Sequence, residues 1–198
     1  MNNPILVRDW GQWDLYYDEL ALSIDDIKEA SLVSDTALVI IGRNAGEDVD
    51  VKCDKGGWYL TYIEEFILLN VKKYFKEVCV IINSCSIIDV SNILKYEPNA
   101  LMFVFQGGQE FGNGVADVLL GKCSPCGKLT DTVACIEDYP STKYLLNSDC
   151  TVYGEDIYVG YRYFNTFHKN KIIYPFGYGL SYSKFSYDVL EVKYHDFI

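Results

Sequence analysis

The sequence predicts an α/β fold built on a parallel sheet. Three continuous apolar runs of strand length, TALVIIG (36–42), VCVIIN (78–83) and ALMFVF (100–105), read as strands buried on both faces. Between and after them lie stretches with helical spacing and capping signals. The resulting order of strand, helix, strand, helix, strand, helix requires crossovers that place helices on both faces of the sheet.

Each element has its own warrant. SIDD (23–26) carries a serine with an acid three residues on, a capping box that opens a helix to about Ser34. TALVIIG follows as the first strand. TYIEEFILLNVKKYF then repeats the capping pattern with Thr61 and Glu64, and its Ile63, Phe66, Ile67, Val71 and Phe75 fall at helical spacing. VCVIIN is the second strand and SIIDVSNILKY the second of these crossover helices. ALMFVF is the third strand, and QEFGNGVADVLLG is a helix closed by Gly121. GKLTDTVAC (127–135) reads as a fourth strand. Beyond it, VYGEDIYVGYRYFNTF and YPFGYGLSYSKFSY are dense in Tyr, Phe and Gly and are expected to wrap and seal the sheet.

Composition bounds the function. At 198 residues and 49% hydrophobic, the chain can build one sizeable core. Its net charge of -11 argues against nucleic acid, which requires clustered Lys and Arg. No apolar run reaches the length of a membrane span and the N-terminus lacks a signal-peptide pattern, so the sequence reads as a cytoplasmic chain without a membrane partner. The seven cysteines are an odd number without repeated spacing, against a complete disulfide framework. CSPC (123–126) has no second pair to complete a zinc site, and no metal or cofactor is expected. His168 and His195 read as surface residues.

In a parallel sheet the loops at the carboxyl ends of the strands share one rim, where ligands bind. Three polar loops meet that description: GRNAGEDVDVKCDKGG, NSCS and QGGQE. The first is the longest and most charged, and unstructured loops longer than about 12–15 residues are often functional. Gly46 permits a turn that projects Glu47. From spacing alone, Glu47, Asp48 and Asp50 read first as a solvated acidic loop paired with Arg43, Lys52 and Lys55, because charged loops are usually only wet.

Several stretches in order resemble one family. GRNAGEDVD, GGWYLT, VIIN, FQGGQEFGNGVADVLLGKCSPCGKLTDT, YPST, YGEDIYVGYRYF and YPFGYGLSYSKFSY are similar to the C-terminal domain of glycoside hydrolase family 3, the β-glucosidase type. The resemblance implies a three-layer α/β sandwich with a six-stranded, mostly parallel sheet over residues 23–187. Residues 1–22 would then be an N-terminal connector, and 188–198 a linker or the start of a fibronectin type III-like domain. It implies that Glu47 is the general acid/base of a retaining exo-glycosidase acting on a β-glucoside or related glycoside. Arg43 and Asp50 would bind substrate or order the loop. The nucleophilic aspartate would sit on a (β/α)8 barrel, which takes about 250 residues and cannot be encoded here. The chain then reads as a fragment that needs a barrel in the same protein or in trans, is inactive alone, and is prone to self-association through the uncovered barrel-facing surface. The alternative is a non-catalytic sandwich domain that binds sugar or protein.

Overall fold

The computed structural model describes residues 17–44, 51–144, 150 and 152–192. In chain order these form α1 (Ile24–Ser31), β1 (Thr36–Gly42), α2 (Tyr62–Tyr74), β2 (Glu77–Asn83), α3 (Val90–Leu94), β3 (Ala100–Phe103), α4 (Phe111–Leu119), α5 (Ser141–Tyr144) and α6 (Tyr161–Phe167). Short 3-10 turns lie at Ile136–Asp138 and Lys169–Lys171. Among the described residues the strands make one parallel sheet in the order β1-β2-β3, with Val39 opposite Val80 and Ile81 opposite Met102.

Both predicted capping boxes form. The Ser23 hydroxyl accepts from the Asp26 amide at 3.1 Å while the Asp26 carboxylate accepts from the Ser23 amide at 2.8 Å. Thr61 and Glu64 repeat the exchange at 3.1 and 2.7 Å, so four otherwise unpaired N-terminal donors are satisfied by sequence-local chemistry. The second crossover helix is shorter than expected. Ser84 accepts from the Ser86 amide and donates to the Ser86 carbonyl, which commits that backbone to a turn, and Asp89 caps the helix by accepting from Ser91. Gly121, with φ of +70°, ends the α4 region as its position predicts.

The core is a single cluster. Ile41, Leu60, Leu68, Val80, Ile82, Val90 and Ile93 are all but fully buried, with α2 packed on β1 and β2 and α1 packed on α2. Within α2 the buried apolar residues are Leu68 and Val71, whereas Phe66, placed on the core face by spacing, is exposed.

Two further expectations change. The run TALVIIG is not covered on both faces: Val39 and Ile41 are buried, but Leu38 and Ile40 are 54% and 59% exposed. A continuous apolar run cannot tell which alternate set is covered. The sheet also has three strands among the described residues rather than six. Residues 127–135 pair antiparallel with the C-terminal aromatic segment instead of joining β3. Val133 donates to the Tyr174 carbonyl at 2.7 Å, and Ile173 donates back to Val133 at 2.8 Å. Leu129 donates to Tyr178 at 2.8 Å, and Gly177 to Leu129 at 2.7 Å. Val133 belongs to the core cluster, and Leu129, Ile173 and Tyr174 pack against it, so this clasp rests on the core. Within the aromatic stretch, residues Tyr161–Phe167 form the helix α6, which the Tyr, Phe and Gly density does not mark. It buries Phe164 completely, edge-on to Tyr139 at 5.0 Å.

Candidate functional site: the loop rim after the first strand

The β1–β2 ladder continues one residue past the strands, with the Arg43 amide donating to the Asn83 carbonyl at 3.0 Å. There the Arg43 side chain enters the protein, only 1% exposed, to meet a Glu64 side chain that is 4% exposed. Its Nη1 and Nη2 reach Glu64 Oε1 and Oε2 at 2.7 and 2.9 Å, a bidentate fork. The same guanidinium donates to the Gly42 carbonyl at 2.7 Å, the Gly57 carbonyl at 3.0 Å and the Tyr59 carbonyl at 3.2 Å. Glu64 holds this position because it is the third residue of α2, where its Oε2 also caps the helix through the Thr61 amide.

The returning part of the loop is knit by its own backbone. Gly56, at φ +85°, allows its amide to reach the Tyr59 carbonyl at 2.9 Å. Trp58 donates to Lys52 at 3.0 Å, and Asp89, from the second rim loop, donates to Trp58 at 2.8 Å. The Tyr59 hydroxyl donates to Glu137 at 2.7 Å, tying the loop to the 3-10 turn at 136–138. Burial, with the Glu137 bond adding to it, pushes the Tyr59 phenol well above its ordinary pKa. Lys55 lies 3.0 Å from Glu65 and over the Tyr62 ring at 4.2 Å, bracing the loop against the exposed side of α2. Partial burial raises the Glu19 carboxyl, reinforced by Glu64 and opposed by Arg43.

Glu47 and Asp50 lie outside the described residues. Arg43 faces the interior among carbonyls and Glu64, an arrangement that anchors backbone. Cys123 and Cys126 are exposed, and the described residues contain no group of three or more His, Cys, Asp or Glu suited to a metal ion. His168 follows α6 with its ring 5.1 Å from that of Tyr163. Sequence reading missed two partners: Glu64 for Arg43 and Glu137 for Tyr59. The first had a signal. An arginine directly after a buried strand needs a buried acid, and Glu64 is an acid at the start of the next helix.

A profile of the glycosyl hydrolase family 3 C-terminal domain matches residues 16–182. The chain is 48% identical over 177 residues to a β-glucosidase of Ruminococcus albus, covering 89% of this chain and 19% of that protein. Among solved structures, a β-glucosidase of Paenibacillus barengoltzii superposes with a TM-score of 0.84 at 44% identity, over 91% of this chain and 20% of that one. β-Glucosidase 3B of Thermotoga neapolitana, in complex with glucose, superposes with a TM-score of 0.80 at 38% identity, over 87% of this chain and 25% of that one. The chain thus spans 19–25% of the length of these relatives. With its parallel sheet, its polar rim loop and this match along most of its length, the chain belongs to the glycosyl hydrolase family 3 C-terminal domain family.

Proposed function

We propose that this domain supplies the general acid/base, Glu47, to a retaining β-glucoside-hydrolysing site whose nucleophile is an aspartate on a (β/α)8 barrel outside these 198 residues. The observation that carries the reading is the position of the charged loop. It leaves the carboxyl end of β1, the rim where parallel sheets bind ligands, in a chain of a family whose solved relatives include a glucose complex. In the first step the barrel aspartate attacks the anomeric carbon while protonated Glu47 gives its proton to the departing glycosidic oxygen. In the second, ionised Glu47 takes a proton from the water that displaces the aspartate. The two carboxyl groups then stand roughly 5–5.5 Å apart across the domain boundary.

The same proposal covers the architecture. Among the described residues β1 and β3 are the edge strands of the three-stranded sheet, and Leu38 and Ile40 are exposed on one face of it. In the longer protein we take the sheet to grow to six strands and three layers, with this domain at 23–187, a connector at 1–22 and a linker or further β domain from 188. Arg43 orders the loop, and Asp50 either orders it or touches sugar hydroxyls.

The test exploits leaving-group chemistry. With a family 3 barrel partner completing the site, Glu47→Gln lowers hydrolysis of a poor leaving group such as an alkyl β-glucoside by about 10²–10⁴-fold. The same change has little effect on formation of the glucosyl-enzyme from dinitrophenyl β-glucoside, which needs no proton. Equal losses on both substrates, or none, would refute the assignment. Saccharide binding by the chain alone, indifferent to Glu47, would instead favour a non-catalytic binding domain.

A further inference from the structure

We infer that Glu64 is a positioning residue for the loop between β1 and α2, acting through Arg43 to hold both ends of that loop on one rigid footing. One guanidinium reaches the end of β1, the returning loop and the start of α2. At the outgoing end it is itself the first residue after β1 and bonds the Gly42 carbonyl. At the returning end it bonds the Gly57 and Tyr59 carbonyls. At the base it is gripped by both oxygens of Glu64. Glu64 in turn is fixed by the Thr61 amide and by α2, whose Leu68 and Val71 sit in the core. The loop therefore begins and ends at one buried ion pair.

The physical choice of residues supports this role. A buried ion pair is weak support for stability, because desolvating two charges offsets most of their attraction. What a planar fork adds is geometry: its donors lie in fixed directions, so two carbonyls and a carboxylate are held in one mutual arrangement. A lysine would keep the charge and lose that arrangement. In its catalytic consequence the inference rests on the proposed role of Glu47, which lies between the two clamped ends in sequence. A proton donor must be held close to its productive geometry, and a displacement of about 1 Å can cost roughly 10²-fold in rate.

The amides of residues 56–59 are natural reporters, since Gly56, Gly57, Trp58 and Tyr59 all donate within the returning loop or to its base. Hydrogen exchange by mass spectrometry is measured on the chain and on Glu64→Gln and Arg43→Lys. Exchange over 51–59 is expected to quicken in both variants by at least about tenfold more than exchange over the buried β2 segment 78–82, whose rate follows the global stability. Unchanged exchange in the loop, or equal quickening in both segments, overturns the clamp. Parent-like protection in Arg43→Lys overturns it as well, because charge alone would then suffice; this variant also keeps the test available if Glu64→Gln fails to fold. In the barrel-completed enzyme, Glu64→Gln is expected to lower kcat by about 10²-fold with KM within about twofold. Faster exchange with an unchanged kcat removes the positioning role. Exchange is read without a barrel, so a failed assignment of Glu47 is seen separately, in the leaving-group test.

Discussion

Replacing Arg43 by methionine removes the cation from a pair whose side chains are 1% and 4% exposed. Glu64 is then left as a buried carboxylate with only the Thr61 amide among the partners described above, and the Gly42, Gly57 and Tyr59 carbonyls each lose a donor. Breaking a buried pair by removing one member costs about 3–5 kcal/mol, a large share of the ~5–15 kcal/mol that stabilises a typical domain. Replacing both members by apolar residues of similar volume, Arg43→Met with Glu64→Leu, removes the stranded charge. The remaining cost is the lost helix cap, ~1 kcal/mol, and whatever the freed carbonyls fail to recover from water. The double variant is therefore expected to be more stable than Arg43→Met alone, the reverse of additivity. Equilibrium unfolding in urea is the appropriate assay, since guanidinium is itself a salt and screens ion pairs. A single-variant loss below about 1 kcal/mol, or a double-variant loss equal to the sum of the singles, would refute the account of the pair.

The two faces of β1 should respond differently. Ile41→Ala, at a position with no exposure, is expected to cost about 2–5 kcal/mol, whereas Leu38→Thr on the open face should stay within about 0.5 kcal/mol; similar urea midpoints for the two would contradict the sidedness. Tyr59→Phe deletes the bond to Glu137 and is expected to cost ~1 kcal/mol while leaving the m-value unchanged; a neutral result would show that the loop does not depend on that tether. Glu19 gives a pH test. Its raised pKa means the folded state keeps a proton that the unfolded chain has already released, so its contribution to stability falls as pH rises from the ordinary carboxylate value through the raised one. Glu19→Gln should flatten that part of the stability curve, and superimposable curves would remove the assigned burial effect.

Local chemistry made most of the fold legible. Ser23 and Thr61 announced helix starts that the structure places where the capping boxes demand. TALVIIG and VCVIIN match strands within a residue of those observed, because each holds five apolar residues in succession, rich in Val and Ile and of strand length. What sequence could not supply was pairing at long range. Residues 127–135 have strand character, but whether Val133 joins β3 or clasps Tyr174 depends on contacts some 40 residues away. The exposure of Leu38 and Ile40 was hidden for the same reason, as a uniform apolar run carries no mark of which face is covered. At the rim, Arg43 was singled out by its position. Its buried partner Glu64 carries a capping signal that by itself accounts for an acid at that position and so conceals the ion pair.

The most direct test of the central claim, that Glu47 shuttles the proton in a site shared with a barrel, is the product formed by a Glu47→Gly chain completed by a family 3 barrel in the presence of sodium azide. Azide needs no base to attack the glucosyl-enzyme and can occupy the space the carboxylate leaves. The account predicts that azide accelerates turnover of dinitrophenyl β-glucoside and that the product, by its anomeric proton coupling, is β-glucosyl azide. Glucose alone with no acceleration, or the α-configured azide, would contradict it.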